Sequence, residues 1–197
     1  MSFAGDLRDY GMETILGALN VYDRPLQVAG APVLPAIGLG KGSVFYVDPV
    51  NGSDNNAGNT PDEAFASTAK ALSECTAWAG DVIVRMRGTE QLATQLEFNV
   101  ADVTLLGLPV HCGKPEWCLY YSTAGLTTKA PIYITQPCRI IGIEVANQGY
   151  LAGAAIHVKY DSAATERGYW VELRDVSCVD WWGNAYGIYA EGGSHMR

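Results

Sequence analysis

The stretch from Val44 to Gly88 constrains the fold of this chain more than any other. Val44-Phe45-Tyr46-Val47 is β-branched and aromatic and reads as a strand. It runs straight into Asp48-Pro49-Val50-Asn51-Gly52-Ser53-Asp54-Asn55-Asn56-Ala57-Gly58-Asn59, a loop dense in residues that accept left-handed backbone or form Asx-turns. Thr60 then reads as a helix N-cap, Pro61 as the first helical residue and Glu63 as the completion of a capping box. The spacing predicts a helix to about Trp78, with Phe65, Thr68, Leu72 and Cys75 on one face and Ala64 and Ala71 beside them. Gly80-Asp81 ends it, and Val82-Ile83-Val84-Arg85-Met86 opens a second strand.

Short strands recur after Leu92: Gln95–Val100, Val103–Leu106, Ile132–Thr135, Arg139–Val145, Ala155–Lys159, Tyr169–Val176 and Gly187–Ala190. Their spacing is irregular, about 30 residues between comparable strands, as insertions in lateral loops would produce. His111–Thr128, with two cysteines, Trp117 and the Tyr120-Tyr121 pair, reads as one such insertion. An antiparallel sandwich also uses many short strands, so the strand–loop–helix segment decides the fold class.

Tyr46-Val47-Asp48, Asn51-Gly52-Ser53-Asp54, Asn56, Gly58, Pro61, Phe65, Gly80-Asp81 and Gly88-Thr89 form a pattern with a known parallel. The segment resembles the opening of right-handed parallel β-helix proteins of the pectate-lyase-like superfamily, bacteriophage tail spike and fibre-type proteins among them. The resemblance covers Val44 to Thr89 well and the later coils in style. It implies an all-β fold: a right-handed parallel β-helix with an N-terminal capping helix, preceded by a short extended or helical anchor. A helix laid across the open end of stacked sheets covers apolar side chains and strand edges. The expected organisation is an anchoring segment over 1–42, the opening strand, Asn/Gly loop and capping helix over 43–91, and the first coils over 92–197. The pattern is specific for fold and silent on activity, because such segments precede unrelated functions.

The anchor is expected from its apolar content. Met12, Ile15, Leu16 and Leu19 fall at helical spacing, although Gly11 and Gly17 weaken a helix there. Val28 to Gly42 is an extended strip broken by Pro32 and Pro35, and Val33, Leu34, Ile37 and Leu39 would be left wet unless it docked. It lies either on the following domain or on a partner protein. At the other end, Gly187 to Arg197 reads as a strand and turn cut in mid-stride. The expectation is a coil that continues beyond Arg197; the alternative is that Gly193-Ser194-His195-Met196 is a cleavage remnant.

Charge excludes one class of partner. With 13 basic against 21 acidic side chains the net charge is −8, so the Lys/Arg clusters that neutralise phosphates are wanting and no nucleic acid is expected. No apolar run reaches the length of a membrane span. Met-Ser-Phe-Ala-Gly-Asp lacks a basic region followed by an apolar core, so no secretory signal is read, and an extracellular role would follow cytoplasmic assembly and lysis. Cys75, Cys112, Cys118, Cys138 and Cys178 lack zinc-type spacing. Cys112 and Cys118 are close enough in sequence for a local bridge, but reduced, buried thiols are the preferred reading.

Chemistry is harder to place. Glu144, Glu172, Asp175, Asp180 and Glu191 are the carboxylates of the coil region, and Glu172 and Asp180 are candidates for neighbours across coils. Trp170, Trp181, Trp182, Tyr186 and Tyr189 offer stacking surface for sugar rings, with Trp181, Trp182 and Tyr189 the carbohydrate candidates. The plainer account makes the carboxylates solvated and the aromatics coil packing or a subunit interface. Asp48, Asn51, Asp54 and Asn56 superficially suggest a calcium loop, but lack its spacing and terminal Glu, so Asx-turns are preferred. His111, His157 and His195 form no metal motif, and no cofactor, metal or catalytic residue is assigned.

The leading expectation is a structural virion protein, held to other virion proteins by its N-terminus and presenting a β-helix for attachment to the host surface. The resemblance implies a homotrimer and admits a host polysaccharide as partner. The rival is a depolymerase, a hydrolase or lyase acting on capsule or O-antigen.

Overall fold

The computed structural model describes residues 27–28, 31–32, 42–86, 88–108, 118–122, 129–147, 153–159, 170–180, 186–191 and 195–196. The anchor residues Met12, Ile15, Leu16, Leu19, Val33, Leu34 and Ile37 lie outside them, as do Trp181 and Trp182. The chain divides into two compact units, Met1–Leu39 and Gly40–Arg197. In the first, β1 (Gln27–Val28) pairs antiparallel with β2 (Ala31–Pro32).

The second unit is a parallel β-helix. Its lead-in strand β3 (Val44–Val47) is followed by helix α1 (Thr68–Glu74). The first coil holds β4 (Val82–Arg85), β5 (Gly88–Leu92) and β6 (Leu96–Phe98); the second holds β7 (Val103–Gly107), β8 (Cys118–Ser122) and β9 (Ile132–Ile134). The third holds β10 (Cys138–Ile141), β11 (Glu144–Asn147) and β12 (Ala154–Lys159); the fourth holds β13 (Trp170–Arg174), β14 (Ser177–Asp180) and β15 (Tyr186–Glu191). Strand β16 (His195–Met196) pairs onto β13. Corresponding strands stack into three sheets, which we term A (β3-β4-β7-β10-β13-β16), B (β5-β8-β11-β14) and C (β6-β9-β12-β15). Every pairing in them is parallel.

Stacked apolar positions fill the interior. In sheet A, Phe45, Ile83, Leu105, Ile140 and Leu173 are successive register partners. In sheet C, Leu96, Ile132, Ile156 and Ile188 form one inward column and Phe98, Ile134, Val158 and Ala190 another. Burying one such side chain fully is worth about 1.5–3 kcal/mol, so each added coil extends the same core. Coil length varies: Val82 pairs with Thr104, 22 residues on, whereas Val103 pairs with Cys138, 35 residues on. The excess falls between the strands and leaves the register intact.

Three expectations are corrected. The Thr60–Trp78 stretch is not one helix. Pro61–Glu63 is a 3-10 turn whose N-cap Thr60 accepts from the Glu63 N–H, and α1 begins only at Thr68, capped by Ser67. Phe65 lies between them because its backbone is committed to β3: its N–H donates to Tyr46 O, and its carbonyl accepts from the Asp48 N–H. The Phe65 ring is buried against Gly58, whose left-handed backbone (φ 73°) and missing Cβ make room for it. The helix also stops at Glu74, short of Trp78, because the Thr76 N–H donates to the Asp81 carboxylate and left-handed Trp78 donates to Ala101 O.

Second, Arg139–Val145 is two strands, β10 and β11, broken by left-handed Gly142 at the corner from sheet A to sheet B. Third, the supposed insertion His111–Thr128 contains β8, a full rung of sheet B with Tyr120 buried in the interior. The same corner supplies a test. A Cβ on Gly107 would lie 2.0 Å from Gly142 O, whereas one on Gly153 meets nothing within 4 Å. Gly107→Ala should therefore cost about 2–3 kcal/mol by overpacking, and Gly153→Ala only about 1 kcal/mol of backbone strain. Urea unfolding midpoints of the two variants measure the difference.

Candidate functional site

Helix α1 touches the first rung of all three sheets. It packs on β3, β4 and β6, and Thr68, at its start, reaches Glu90 of β5. The Thr68 N–H donates to Glu90 Oε1 (2.8 Å) and its hydroxyl donates to Oε2 (2.7 Å). The same hydroxyl lies 2.8 Å from the Tyr120 hydroxyl, one coil up. Arg85 Nε stands 3.3 Å from Glu90 Oε2, while its Nη1 and Nη2 donate to Met86 O and Gly88 O. At 3.3 Å the Nε–carboxylate contact is an ion pair without hydrogen-bond alignment, so Nε has charge compensation but no aligned acceptor. The Arg85 guanidinium also faces the Tyr120 ring at 5.3 Å.

Both Glu90 oxygens are thus engaged: the carboxyl fastens the capping helix to coil one, and the Thr68 hydroxyl reaches coil two. Burial raises the Glu90 carboxyl above its ordinary value; the Thr68 hydrogen bonds and the Arg85 charge only partly offset this. Burial likewise raises the Tyr120 hydroxyl. The four thiols at Cys75, Cys118, Cys138 and Cys178 are free, with burial pushing Cys75 up to about 12 and Cys178 to about 11. Burial pushes Cys118 and Cys138 upward as well, which suits unreactive packing.

The carboxylates singled out from sequence are dispersed. Glu172, on the outer face of sheet A, pairs with Arg139 (3.4 Å) and Arg174, and Arg139 lies over Trp170 at 4.5 Å. Asp180 ends β14 in sheet B of the same coil, so the backbone sets it on a neighbouring sheet and not on the coil above or below Glu172. Glu144 opens β11 in sheet B, and Asp175 holds a left-handed corner (φ 52°). In the Asn/Gly loop, carboxylate oxygens serve backbone donors. Asp48 Oδ1 accepts from the Val50 and Asn51 N–H groups, and Asp54 Oδ1 accepts from those of Ala66 and Ser67. Partial burial opposes it, yet the bonds from Asn51 and Val50 hold the Asp48 carboxyl below its ordinary value. The loop is the Asx-turn structure that its composition suggested. Among the described residues no three His, Cys, Asp or Glu side chains are placed to share a metal ion, and no helix is long and apolar enough to cross a membrane.

Aromatic groups do converge on the outer face of sheet C. Glu97, Tyr133, His157 and Tyr189 are successive register partners on β6, β9, β12 and β15. The Tyr133 and His157 rings are 5.1 Å apart, and the His157 and Tyr189 rings another 5.1 Å. Tyr186 stacks beside Tyr189 at 6.2 Å. Tyr186 and Tyr189 are 69% and 44% exposed, large values for aromatic side chains on a rigid face. In the neighbouring column Lys159 pairs in register with Glu191, whose carboxylate lies 3.3 Å from His157 Nε2. The contact lacks hydrogen-bond alignment, and His157 Nε2 is buried beneath the Glu191 carboxylate.

Of the carbohydrate candidates, Tyr189 stands in this column. Tyr133, His157 and Glu97 were missed because loops of unequal length separate them. Only the rung register, which the inward Ile and Val columns set, brings them together.

No family model matches the chain, and no curated protein matches it. Among solved structures, a rhamnogalacturonan lyase is similar at 20% identity over 71% of this chain and 38% of that one, with a TM-score of 0.47. The chain thus spans under two fifths of that protein's length, and the fold assignment rests on the strand registers.

The buried cluster makes a pH prediction. Between the ordinary Glu value and the raised folded value the folded state holds more protons than the unfolded chain, so the Glu90 contribution to stability falls as pH rises through that window. Denaturation of wild type and Glu90→Gln across pH 4–9 should show the fall only in wild type. Glu90→Ala, which strips Thr68 of its acceptor and Arg85 of its counter-charge, should cost about 3–5 kcal/mol.

Proposed function

We propose that this chain is a glycan-contacting β-helix of a bacteriophage tail spike or fibre-type appendage, meeting a host-surface polysaccharide with the outer face of sheet C. The observation that carries the reading is the outward-facing column of half-buried Tyr133 and His157 and exposed Tyr189, with exposed Tyr186 beside it. The C–H-rich face of a pyranose is apolar and stacks on aromatic rings, while its hydroxyls need polar partners at the rim. Exposed Glu97, Lys159 and Glu191 are placed to be those partners. Rings fixed on successive strands need no ordering on binding, which lowers the cost of association.

The reading places residues 1–42 against other virion proteins and adopts the homotrimer that the family resemblance implies. A hydrolytic reading is less well supported by this face. Its two carboxylates, Glu97 and Glu191, stand three rungs apart, about 14 Å at the ordinary strand spacing, beyond the roughly 5–10 Å that glycoside cleavage uses.

An array of purified bacterial capsular polysaccharides and O-antigens tests the proposal. Wild type should bind at least one of them, and Tyr189→Ala and His157→Ala should each weaken that binding by about tenfold, the loss of one ring contact. Failure to bind any polysaccharide, or wild-type binding by both variants, would contradict it.

A further inference from the structure

The aromatic column does not end freely at its lower end. Its lowest rung, Glu97, forms part of a groove of about 460 Å³ between helix α1 and strand β6. Ser73 and Ala69 of the helix form one wall, and Glu97 of β6 with the flanking Gln95 and Asn99 forms the other. Glu97 is at once a groove wall and the register partner of Tyr133, so groove and column make one continuous track. Along it, successive strands stand about 4.8 Å apart, which gives about 14 Å from Glu97 to Tyr189.

The track is asymmetric. At the groove end α1 lies across the coil and is fixed there by Thr68, Glu90 and Tyr120. Strand β6 is the end strand of sheet C among the described residues, and beyond it Ala69 and Ser73 of α1 line the groove. The groove walls offer a carboxylate, two side-chain amides and a hydroxyl, of which Gln95 Nε2 already donates to Ala130 O and the Ser73 hydroxyl to Lys70 O. Glu97, Asn99 and the remaining lone pairs of Gln95 and Ser73 are available to sugar hydroxyls.

We propose that this groove binds the terminal residue of the polysaccharide, so that the protein recognises a chain end and not the middle of a chain. The inference rests on the glycan-contact reading of sheet C and deepens it. The column stacks on the penultimate sugars, and the capping helix blocks a chain that would continue past the groove.

The probes are the array's polysaccharides, used as soluble competitors intact and after mild acid has cut chains of about 100 sugars to about 10. A chain-end binder sees about ten times more sites per unit mass in the cut sample, so competition per unit mass should rise about tenfold. Ser73→Trp, which fills the groove from the exposed side of α1, should abolish that rise and leave binding per unit mass equal in both samples. Glu97→Gln should reduce it with the fold unperturbed. Equal competition by intact and cut chains against the wild type would overturn end recognition while leaving the sheet C reading in place. An undiminished rise in both variants would overturn the assignment to this groove. Absence of binding to every polysaccharide would instead overturn the glycan reading and this inference with it.

Discussion

Each coil of this protein has to set its residues in register with the coil below, because a parallel stack buries every inward side chain between two equivalents of itself. The columns Phe45-Ile83-Leu105-Ile140-Leu173 and Leu96-Ile132-Ile156-Ile188 meet that requirement. A slip of one residue would turn an entire rung inside out. The first rung has no coil below it. There α1 takes the place of a coil, held by one buried carboxylate that accepts from a helix N–H and a hydroxyl and lies beside a guanidinium.

The outer surface inherits this register. Nothing in the sheet's hydrogen bonding asks for Tyr133, His157 and Tyr189 to share a face; they do so because their inward neighbours Ile132 and Ile134, Ile156 and Val158, Ile188 and Ala190 are locked in columns. Rings 5.1 Å apart on a scaffold of that kind form a fixed surface. Charge is set at its rim, where Glu191 faces both His157 and Lys159. Loop length can vary between coils without disturbing either face, as the 22- and 35-residue steps show.

Much of this was legible in the residues. The strand at Val44–Val47, the Asx-turn loop and the alternating runs that became β6, β9 and β12 carry local signals that tertiary structure did not override. Sheet B was the weak point. Its inward positions begin with Glu90 and Tyr120, so Gly88–Leu92 reads as polar and Cys118–Ser122 as part of a loop. A charged side chain facing inward becomes intelligible only once Thr68 and Arg85 are seen around it. The helix was placed too early because Thr60-Pro61 is a sound local start, whereas a bridge between Val47 and Phe65 reserves the following backbone for the sheet. The column on sheet C escaped notice because Glu97, Tyr133, His157 and Tyr189 follow one another at intervals of 36, 24 and 32 residues. No sequence period connects them.

The proposed glycan contact lies on the rings of sheet C. Intermolecular nuclear Overhauser effects between sugar C–H protons and assigned aromatic protons test it most directly. Cross-peaks are expected from one bound oligosaccharide to Tyr133, His157 and Tyr189 together, and none to Trp170 on the outer face of sheet A. Cross-peaks to Trp170 with none to the sheet C rings would contradict it.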